Sequence, residues 1–233
     1  MVLSVPTSRE QARGPLFLED APIPEWARTV LDLGCGDGRG TLQAAGANPS
    51  SLTSRLICGV DIDMGSLSVC KTRAPLLQCL QARGECLPFQ DETFDYVMSA
   101  VALPYMDLAP TLREIVRVLK PGGELWVSLH PQLFVWNHLL RSIRTFNWKD
   151  ILYRTYVLAN GFSLHCTGNL FRFPLKRKRI ESGQTCRGMR LVLHSAGFAD
   201  VIVRKGGERL VVAARRPPRD IQTRTCFGQP NSD

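Results

Sequence analysis

The chain has 233 residues, of which 44% are hydrophobic, and a formal charge of +8; this length suits one domain with a substantial core. No window approaches the roughly 18 uninterrupted apolar residues of a membrane span, so we expect no membrane partner. The eight cysteines include no C-x-x-C pair, which argues against a zinc or thioredoxin-like site. Together with the lack of a secretory leader pattern, this predicts buried free thiols in a reducing cytoplasm and no bound metal.

The first predicted strand ends in a glycine-rich turn. Val30–Leu33 is a short, mainly apolar run typical of a buried parallel strand, and Gly34, Gly36 and Gly38 follow at alternate positions. Glycine permits a positive φ and lets a ligand lie against bare backbone. Asp32 precedes the turn, at the carboxyl end of a strand, where open α/β sheets bind ligands. A helix is expected over residues 40–47.

The second predicted strand, within Ile57–Asp63, ends in acidic residues. A strand, a glycine turn, a helix and a second strand ending in an acid describe a nucleoside site, in which the acid accepts hydrogen bonds from ribose hydroxyls. The strict G-x-G-x-x-G spacing of nicotinamide-binding units fails, because Arg39 stands at the third glycine position. Asp63 is interpreted as the cap of the next helix, residues 65–73, rather than as a ligand.

The remaining elements of the sheet follow in chain order. Strands are predicted over residues 76–82, 96–100 and 124–130, and a helix over 112–119 ends at Lys120 and the sequence Pro-Gly-Gly. Thr185 is predicted to cap a helix over 187–196. A final hairpin pairs residues 201–204 with 210–214.

Residues 131–184 are too long for a simple crossover and predict a helical cap over the substrate. The aromatic side chains of this segment admit two interpretations: packing within the core and the cap, which we favour, or a base-stacking surface beside the basic run Lys176–Arg179. They are Phe134, Trp136, Trp148, Tyr153, Tyr156, Phe171 and Phe173. Residues 141–219 carry 17 Lys and Arg against four acidic residues, hence +13, and the rest of the chain carries −5. This asymmetry fits either an acidic partner or a solvated basic surface.

Four motifs, taken together, resemble those of the class I S-adenosylmethionine (SAM)-dependent methyltransferases of the small, Rossmann-like kind (the methyltransferase type 11 group). They are the D-L-G-C-G-x-G turn at 32–38, the G-V-D-I strand end at 59–62, the G-E-x-L-P-F segment at 84–89 with its following F-D, and R-V-L-K-P-G-G at 117–123. The resemblance covers residues 28–131. It implies an α/β fold with a seven-stranded, mostly parallel sheet, helices on both faces and a helical cap insertion.

The resemblance also implies a set of cofactor-binding residues. Asp32, Gly34, Cys35 and Gly36 would border the methionine part of SAM, and Asp61 would bind the ribose hydroxyls. The other members of the implied set are Ile62 against adenine, Gly84 and Glu85 at the adenine edge, and Ser99 and Ala100 beneath the cofactor.

One residue departs from the family pattern at this site. Relatives carry an aspartate two positions before the glutamate of the E-x-L-P-F motif, whereas Arg83 stands there in this chain. The group that accepts from the adenine amine is therefore left open. Trp26 is expected near the cofactor as part of a lid.

Two residues are candidates for a general base. His130 is predicted at the ligand edge of the fifth strand, and Tyr105 follows the fourth strand. An imidazole near neutral pKa can deprotonate a hydroxyl or an ammonium nucleophile. His138, His165 and His194 are interpreted as structural or surface residues. A neutral, electron-rich nucleophile would need no base, because holding it in line with the methyl group is the main task.

The sequence thus predicts a cytoplasmic SAM-dependent methyltransferase that yields S-adenosylhomocysteine and acts on a small acceptor, anionic or aromatic. It predicts one domain over residues 1–215, with the cap insertion at 131–184 and a disordered tail at 216–233. The alternatives are an RNA methyltransferase that uses the basic half, a non-catalytic SAM-binding protein and, more remotely, a nicotinamide-dependent reductase. The acceptor atom and the oligomeric state are not predicted.

Overall fold

The structure is a computed structural model that describes residues 23–46, 54–129, 132–173, 180–206 and 209–219. Seven strands and six α-helices occur in these residues. The strands are β1 (Thr29–Leu33), β2 (Leu56–Asp61), β3 (Gln78–Gln81), β4 (Phe94–Ala100), β5 (Leu119–Leu129), β6 (Ala199–Gly206) and β7 (Arg209–Arg215). The helices are α1 (Arg39–Ala45), α2 (Met64–Arg73), α3 (Leu108–Val118), α4 (Gln132–Arg144), α5 (Trp148–Thr167) and α6 (Cys186–Ser195).

The strands form one sheet in the order β3-β2-β1-β4-β5-β7-β6, in which only β7 runs antiparallel to its neighbours. This confirms the predicted fold class. Buried apolar clusters cover both faces of the sheet, one with α3 and α6 and the other with α1 and α2. The strand order reverses between β1 and β4, and ligands of open α/β sheets bind at the carboxyl ends of the strands beside such a point.

Strand β5 begins five residues earlier than predicted and includes the sequence Pro-Gly-Gly. The backbone of Arg216 pairs with this stretch: Gly122 N–H donates to its carbonyl at 2.9 Å, and its own N–H donates to the carbonyl of Gly123 at 2.9 Å. Arg219 forms an ion pair with Glu92. Backbone hydrogen bonds of Arg216 and an ion pair of Arg219 thus continue beyond residue 215. The predicted domain boundary stays a prediction, and residues 220–233 lie outside the described residues.

Several motif residues stabilise the sheet instead of forming the site. The Asp95 carboxylate accepts hydrogen bonds from the backbone N–H of Arg28 at 3.0 Å and of Thr29 at 2.9 Å, and from Lys120 Nζ at 2.9 Å. These bonds join the starts of β1 and β4 to β5, and they lower the pKa of Asp95 in spite of its partial burial. The Arg117 guanidinium donates to the carbonyl oxygens of Leu87 and Phe89. The F-D and R-V-L-K motifs therefore hold strands and the 84–89 loop together.

The described part of the predicted cap consists of helices α4 and α5 and of the segments 169–173 and 180–184, which contact α5. The buried amide of Asn160 joins them. Its Nδ2 donates to the carbonyl oxygens of Phe171 at 3.1 Å and Glu181 at 3.0 Å, and its Oδ1 accepts from Phe171 N–H at 2.8 Å. Because the nitrogen and the oxygen of this buried amide both have backbone partners, Asn160 holds the two segments at defined positions on α5.

The aromatic residues of the cap divide into two groups. Tyr153, Tyr156 and Phe173 are buried and pack against one another, as expected for core side chains. Trp136, Trp148 and Phe171 are exposed, although the Phe171 ring also contacts Tyr156; the side chain of Phe134 lies outside the described part of the chain. The basic run Lys176–Arg179 lies outside the described residues.

Two sequence expectations need correction. Trp26 is no part of a lid over the ligand edge, because its ring packs edge-on against Tyr96 in the core between the sheet and α1. Cys86 is exposed on a turn, whereas Cys35, Cys58 and Cys70 are buried free thiols as predicted. Within the described residues, no helix combines the length and the apolar character needed to cross a membrane.

Candidate functional site

A cleft of about 240 Å³ opens at the carboxyl ends of the central strands. Its walls come from β1 and β2, from the 82–85 loop after β3 and from the 102–106 segment after β4. The lining residues are Leu33, Gly34, Val60, Asp61, Ile62, Ala82, Arg83, Gly84, Glu85, Ala102, Tyr105 and Met106. Five of the predicted cofactor-binding residues are among them: Gly34, Asp61, Ile62, Gly84 and Glu85.

The carboxylate of Asp61 holds the glycine turn in place. Its Oδ2 accepts from Gly36 N–H at 2.8 Å, and its Oδ1 accepts from Asp63 N–H at 2.9 Å. Asp61 lines the cleft, and each of its oxygens keeps a second lone pair as an acceptor, because a carboxylate offers about four acceptor positions. Asp63 itself caps α2, as predicted, by accepting from Ser66 N–H at 3.0 Å.

Asp32 is buried beneath the turn, beside the floor of the cleft. One of its carboxylate oxygens accepts from the Thr41 hydroxyl of α1, and the other, Oδ1, has no hydrogen-bond partner in the described part of the chain. Burial raises the pKa of Asp32 to about 6, against the lowering effect of Thr41. An unpaired carboxylate oxygen in such a place favours a cationic or hydrogen-bond-donating ligand.

Four other predicted residues lie behind the cleft wall instead of lining it. Cys35 is buried against Gly59, and burial raises the pKa of its thiol, so it is an inert packing residue. Gly36 contributes its backbone N–H to Asp61. Ser99 is fully buried and donates to the Leu33 carbonyl at 2.8 Å, and Ala100 follows it at the end of β4. These residues shape the floor through backbone position.

Glu85 is the acidic side chain on the wall opposite Asp61. Its carboxylate accepts from Asp107 N–H at 3.1 Å and from Arg83 Nε at 3.2 Å. Partial burial opposes ionisation, but these bonds outweigh it and lower the pKa of Glu85. Arg83 thus turns its guanidinium onto Glu85, which leaves Glu85 as the acid at this edge of the cleft.

The 102–106 segment supplies wall residues that the motif analysis missed. Ala102 approaches Gly34 so closely that a Cβ on Gly34 would lie 2.1 Å from the Ala102 Cβ. The Met106 thioether lies 2.7 Å from the position of a Cβ on Gly84. No local sequence pattern marks Ala102 and Met106, because each meets its glycine only through the packing of segments that are far apart in the chain.

A second cavity, of about 470 Å³, adjoins the first. Arg83, Glu85 and Tyr105 line both cavities, and the remaining walls of the second are Asp107, Pro110, Arg172 and Ile180. Arg172, on the segment after α5, reaches Asp107 at 3.5 Å. The cap therefore contributes a guanidinium to a space that continues from the first cleft.

Of the two candidate bases, Tyr105 lines both cavities, at the end of a short 3₁₀ helix over Leu103–Tyr105. His130 lies outside the described residues and stays a prediction. His165 bonds through Nδ1 to the hydroxyl of Thr185 at 3.1 Å, which agrees with a structural role.

Residues 31–127 match the model of a protein family described as "Methyltransferase domain". A similar curated protein is phthiotriol/phenolphthiotriol dimycocerosates methyltransferase 1 of Mycobacterium ulcerans, which is 35% identical over 109 residues, covering 45% of this chain and 38% of that protein. The chain thus aligns with well under half the length of this relative.

Solved structures share the fold over most of the chain. A SAM-dependent methyltransferase of Methanosarcina mazei has a TM-score of 0.56 at 22% identity, covering 84% of this chain and 95% of that one. The cyclase SpnF has a TM-score of 0.54 at 16% identity, covering 85% of this chain and 79% of that one. At these identities the likeness establishes the fold, and the reaction has to be argued from the site.

Proposed function

We propose that this chain is a class I SAM-dependent methyltransferase and that it transfers a methyl group from SAM to a small-molecule acceptor. The match of residues 31–127 to the methyltransferase-domain family supports this proposal. The observation that carries this proposal is the pair of adjoining cavities at the carboxyl ends of β1, β2 and β4. The lining residues of the first cleft offer groups that suit the cofactor, and the adjoining second cavity would give an acceptor access to it.

The side chains of the first cleft fit the parts of SAM. Asp61 offers lone pairs for two ribose hydroxyls, and Ile62, which is 61% exposed, offers an apolar face for adenine. Glu85 takes the place of the missing family aspartate as acceptor for the adenine amine. Asp32, with its unpaired Oδ1, provides negative charge near the glycine turn, where the cationic methionine part would lie. When bound, SAM supplies an electrophilic methyl group on a positively charged sulfur.

The second cavity is proposed as the acceptor site. Arg172 is 66% exposed and holds Asp107 at 3.5 Å, so its guanidinium keeps donors for an anionic acceptor group. Tyr105 stands between the two cavities, and its ring can orient an aromatic or aliphatic acceptor. The Mycobacterium relative is named for methylating phthiotriol compounds, which supports a small-molecule acceptor for this chain.

Catalysis in this arrangement consists chiefly of placement. The glycine turn and Asp61 would fix the donor, and the walls at Tyr105 and Arg172 would hold the acceptor nucleophile in line with it, which converts a bimolecular step into an intramolecular one. The sulfur of SAM would lose its positive charge as the methyl group leaves. The neutral leaving group therefore needs no metal to stabilise it. Tyr105, which lines both cavities, is the residue proposed to hold or take the acceptor proton through its hydroxyl.

The basic half of the chain gives weaker support to RNA methylation than its charge suggests. Arg154 contacts Glu181 at 3.6 Å, Arg215 contacts Glu124 at 2.8 Å, and Arg216 is paired with Glu92 at 3.2 Å. These cations stabilise the fold, and a polyanion would have to compete for them. No described contact favours RNA over a small acceptor.

Two measurements test the proposal. Calorimetry should show binding of S-adenosylhomocysteine and none of NADH, and SAM carrying a labelled methyl group should label a member of a panel of anionic and aromatic small molecules. Preferential binding of NADH would refute the cofactor assignment. Tight S-adenosylhomocysteine binding with no labelling of small molecules, but labelling of RNA, would support the RNA alternative; binding without any transfer would support a non-catalytic SAM-binding protein.

A further inference from the structure

Helices α4 and α5 meet at a corner that turns large apolar side chains outward. On α4, Trp136, Leu140 and Ile143 are spaced by four and three residues, which places them on one face of the helix. Phe146 lies in the turn, and Trp148 and Leu152 lie one helical turn apart on α5. All six side chains are exposed, Phe146 by 89% and Trp148 by 66%. We call these six residues the apolar corner.

The fold itself does not need the apolar corner. The inward face of α4 is a different stripe, Val135, Leu139 and Ser142, which is buried. Each exposed residue of α4 directly follows one of these buried residues in the sequence. A contiguous apolar surface outside the core marks an interaction site.

Phe146 has a backbone conformation that is strained for any residue with a side chain. Phe146 N–H bonds to the Ile143 carbonyl and Asn147 N–H to the Ser142 carbonyl, each at 3.1 Å, which is the pattern that closes a helix with a left-handed residue. Phe146 occupies the left-handed position with φ 50°. Glycine is the favoured residue there, since a side chain is strained at positive φ. A strained, solvent-exposed phenylalanine is a reason to look for a role outside the fold.

Basic residues surround the apolar corner. Arg141 and Arg144 lie in the last turn of α4, and Lys149 lies over the Trp148 ring, 5.6 Å from its centre. None of the three is in an ion pair with an acidic side chain of the described residues. The acid of this region, Asp150, is engaged by Ser142 and lies 3.6 Å from Arg154.

We propose that the apolar corner binds the surface of an anionic lipid membrane. Tryptophan and phenylalanine side chains flanked by Lys and Arg are the composition of interfacial segments, in which the rings enter the headgroup region and the cations meet lipid phosphates. The surplus positive charge around the corner complements anionic headgroups. The sequence-based expectation of no membrane partner considered spanning segments, and a surface contact needs none. This inference does not depend on the proposed methyl transfer.

The test is flotation of the full chain with phosphatidylcholine vesicles, prepared with and without phosphatidylserine. We expect binding to the vesicles that contain phosphatidylserine, and weaker binding as salt concentration rises. Phe146→Gly removes the ring and the strain together, so it should weaken vesicle binding about tenfold or more while raising the melting temperature. Phe162→Ser is the matched control: Phe162 is 69% exposed on α5, about 21 Å along the helix from Trp148, and its loss should leave binding unchanged.

Charge is tested in the same assay. Lys149→Glu should abolish the preference for phosphatidylserine without loss of stability, since an acidic residue in the first turn of a helix is favourable. Lys71→Glu, an equal change of charge on α2, should keep that preference. Absence of vesicle binding by the full chain, or equal effects of Phe146→Gly and Phe162→Ser, would overturn the proposal. Loss of a concentration-dependent dimer in Phe146→Gly, with no vesicle binding by the parent chain, would instead assign the corner to a second copy.

Discussion

Gly34 and Ala102 touch across the floor of the cleft, so closely that any side chain at position 34 would occupy the space of the Ala102 methyl group. Gly34 also has φ 80°, in the left-handed region. The turn after β1 and the segment after β4 therefore fit together only if residue 34 is glycine. This contact places backbone, rather than a side chain, against whatever occupies the cleft.

Gly34→Ala should consequently lose both stability and cofactor binding. A Cβ 2.1 Å from that of Ala102 forces the 102–106 segment outward, and overpacking of this kind costs roughly 1–3 kcal/mol beside the cost of the left-handed backbone. Chemical denaturation and calorimetry with S-adenosylhomocysteine measure the two effects. Gly40→Ala is the control, because a Cβ on Gly40 meets nothing within 4 Å and α1 should gain up to about 1 kcal/mol; equal behaviour of the two variants would contradict the packing argument.

Asp61→Ala should weaken S-adenosylhomocysteine binding by more than about a hundredfold while the sheet stays folded, since the change removes the acceptor for the ribose hydroxyls and the bond that fixes Gly36 N–H. Asp63→Asn is the matched change two residues away. Asparagine is an equally good helix cap, so this variant should bind like the parent chain. Wild-type affinity in Asp61→Ala would show that the nucleoside lies elsewhere.

The buried carboxyl of Asp32 predicts a pH dependence of stability without ligand. Its pKa in the folded chain is about 6, against an ordinary value of 3.8, so the folded state retains a proton that the unfolded state loses. The contribution of Asp32 to the unfolding free energy therefore falls as pH rises from about 4 to about 6, by about 3 kcal/mol. The difference in unfolding free energy between the parent chain and Asp32→Asn should change by this amount over that range, as followed by urea denaturation. If the unfolding free energies of the parent chain and of Asp32→Asn changed in parallel with pH, this would contradict the burial of an unpaired charge at Asp32.

The affinity for SAM should change with pH in the opposite direction, through the same carboxyl group of Asp32. A cationic ligand favours the ionised form of Asp32, so its affinity should increase as pH rises through about 6. Asp32→Asn should remove this dependence. Isothermal titration of SAM at several pH values checks the slope, and an unchanged slope in the variant would assign it to another group.

Tyr105→Phe separates a chemical role of the hydroxyl from a packing role of the ring. If the hydroxyl handles the acceptor proton, kcat should fall by about a hundredfold with unchanged affinity for S-adenosylhomocysteine. His130→Gln is the parallel change at the other predicted base. A kcat unaffected by Tyr105→Phe but lowered by His130→Gln would move the proton transfer to His130.

Asn160→Ala should destabilise the cap. Three backbone groups, at Phe171 and Glu181, would lose a buried partner, and unsatisfied groups of this kind cost about 1–3 kcal/mol each before relaxation. We expect early hydrogen exchange in residues 169–173 and a loss of acceptor turnover larger than the loss of cofactor affinity, because the cofactor cleft is built mostly from the sheet. Uniform loss of protection across the whole sheet would show that the cap and the sheet unfold together.

The sequence determined the fold class, most strand positions and the ligand edge of the sheet. Those features follow from local signals: apolar runs for buried strands, glycines where the backbone must turn, and an acid at the end of β2. Asp61, Gly84 and Glu85 could be assigned because each stands at a fixed distance along the chain from such a signal. The helix caps of Asp63 and Thr185 were equally local.

Only the tertiary structure decided which of those residues face the cleft. Cys35 directly follows the wall residue Gly34, and Ser99 precedes the wall residue Ala102 by three positions, but both side chains are buried in the core. Ala102 and Arg172 acquire their meaning from contacts between residues far apart in the chain. The apolar corner is recognisable only because the packing of α4 buries a different face of that helix. A sequence pattern gives the periodicity of a helix or a strand. The contacts of each side chain depend on how the helices and strands pack together. The chemistry of this site depends on those contacts, so only the tertiary structure decides it.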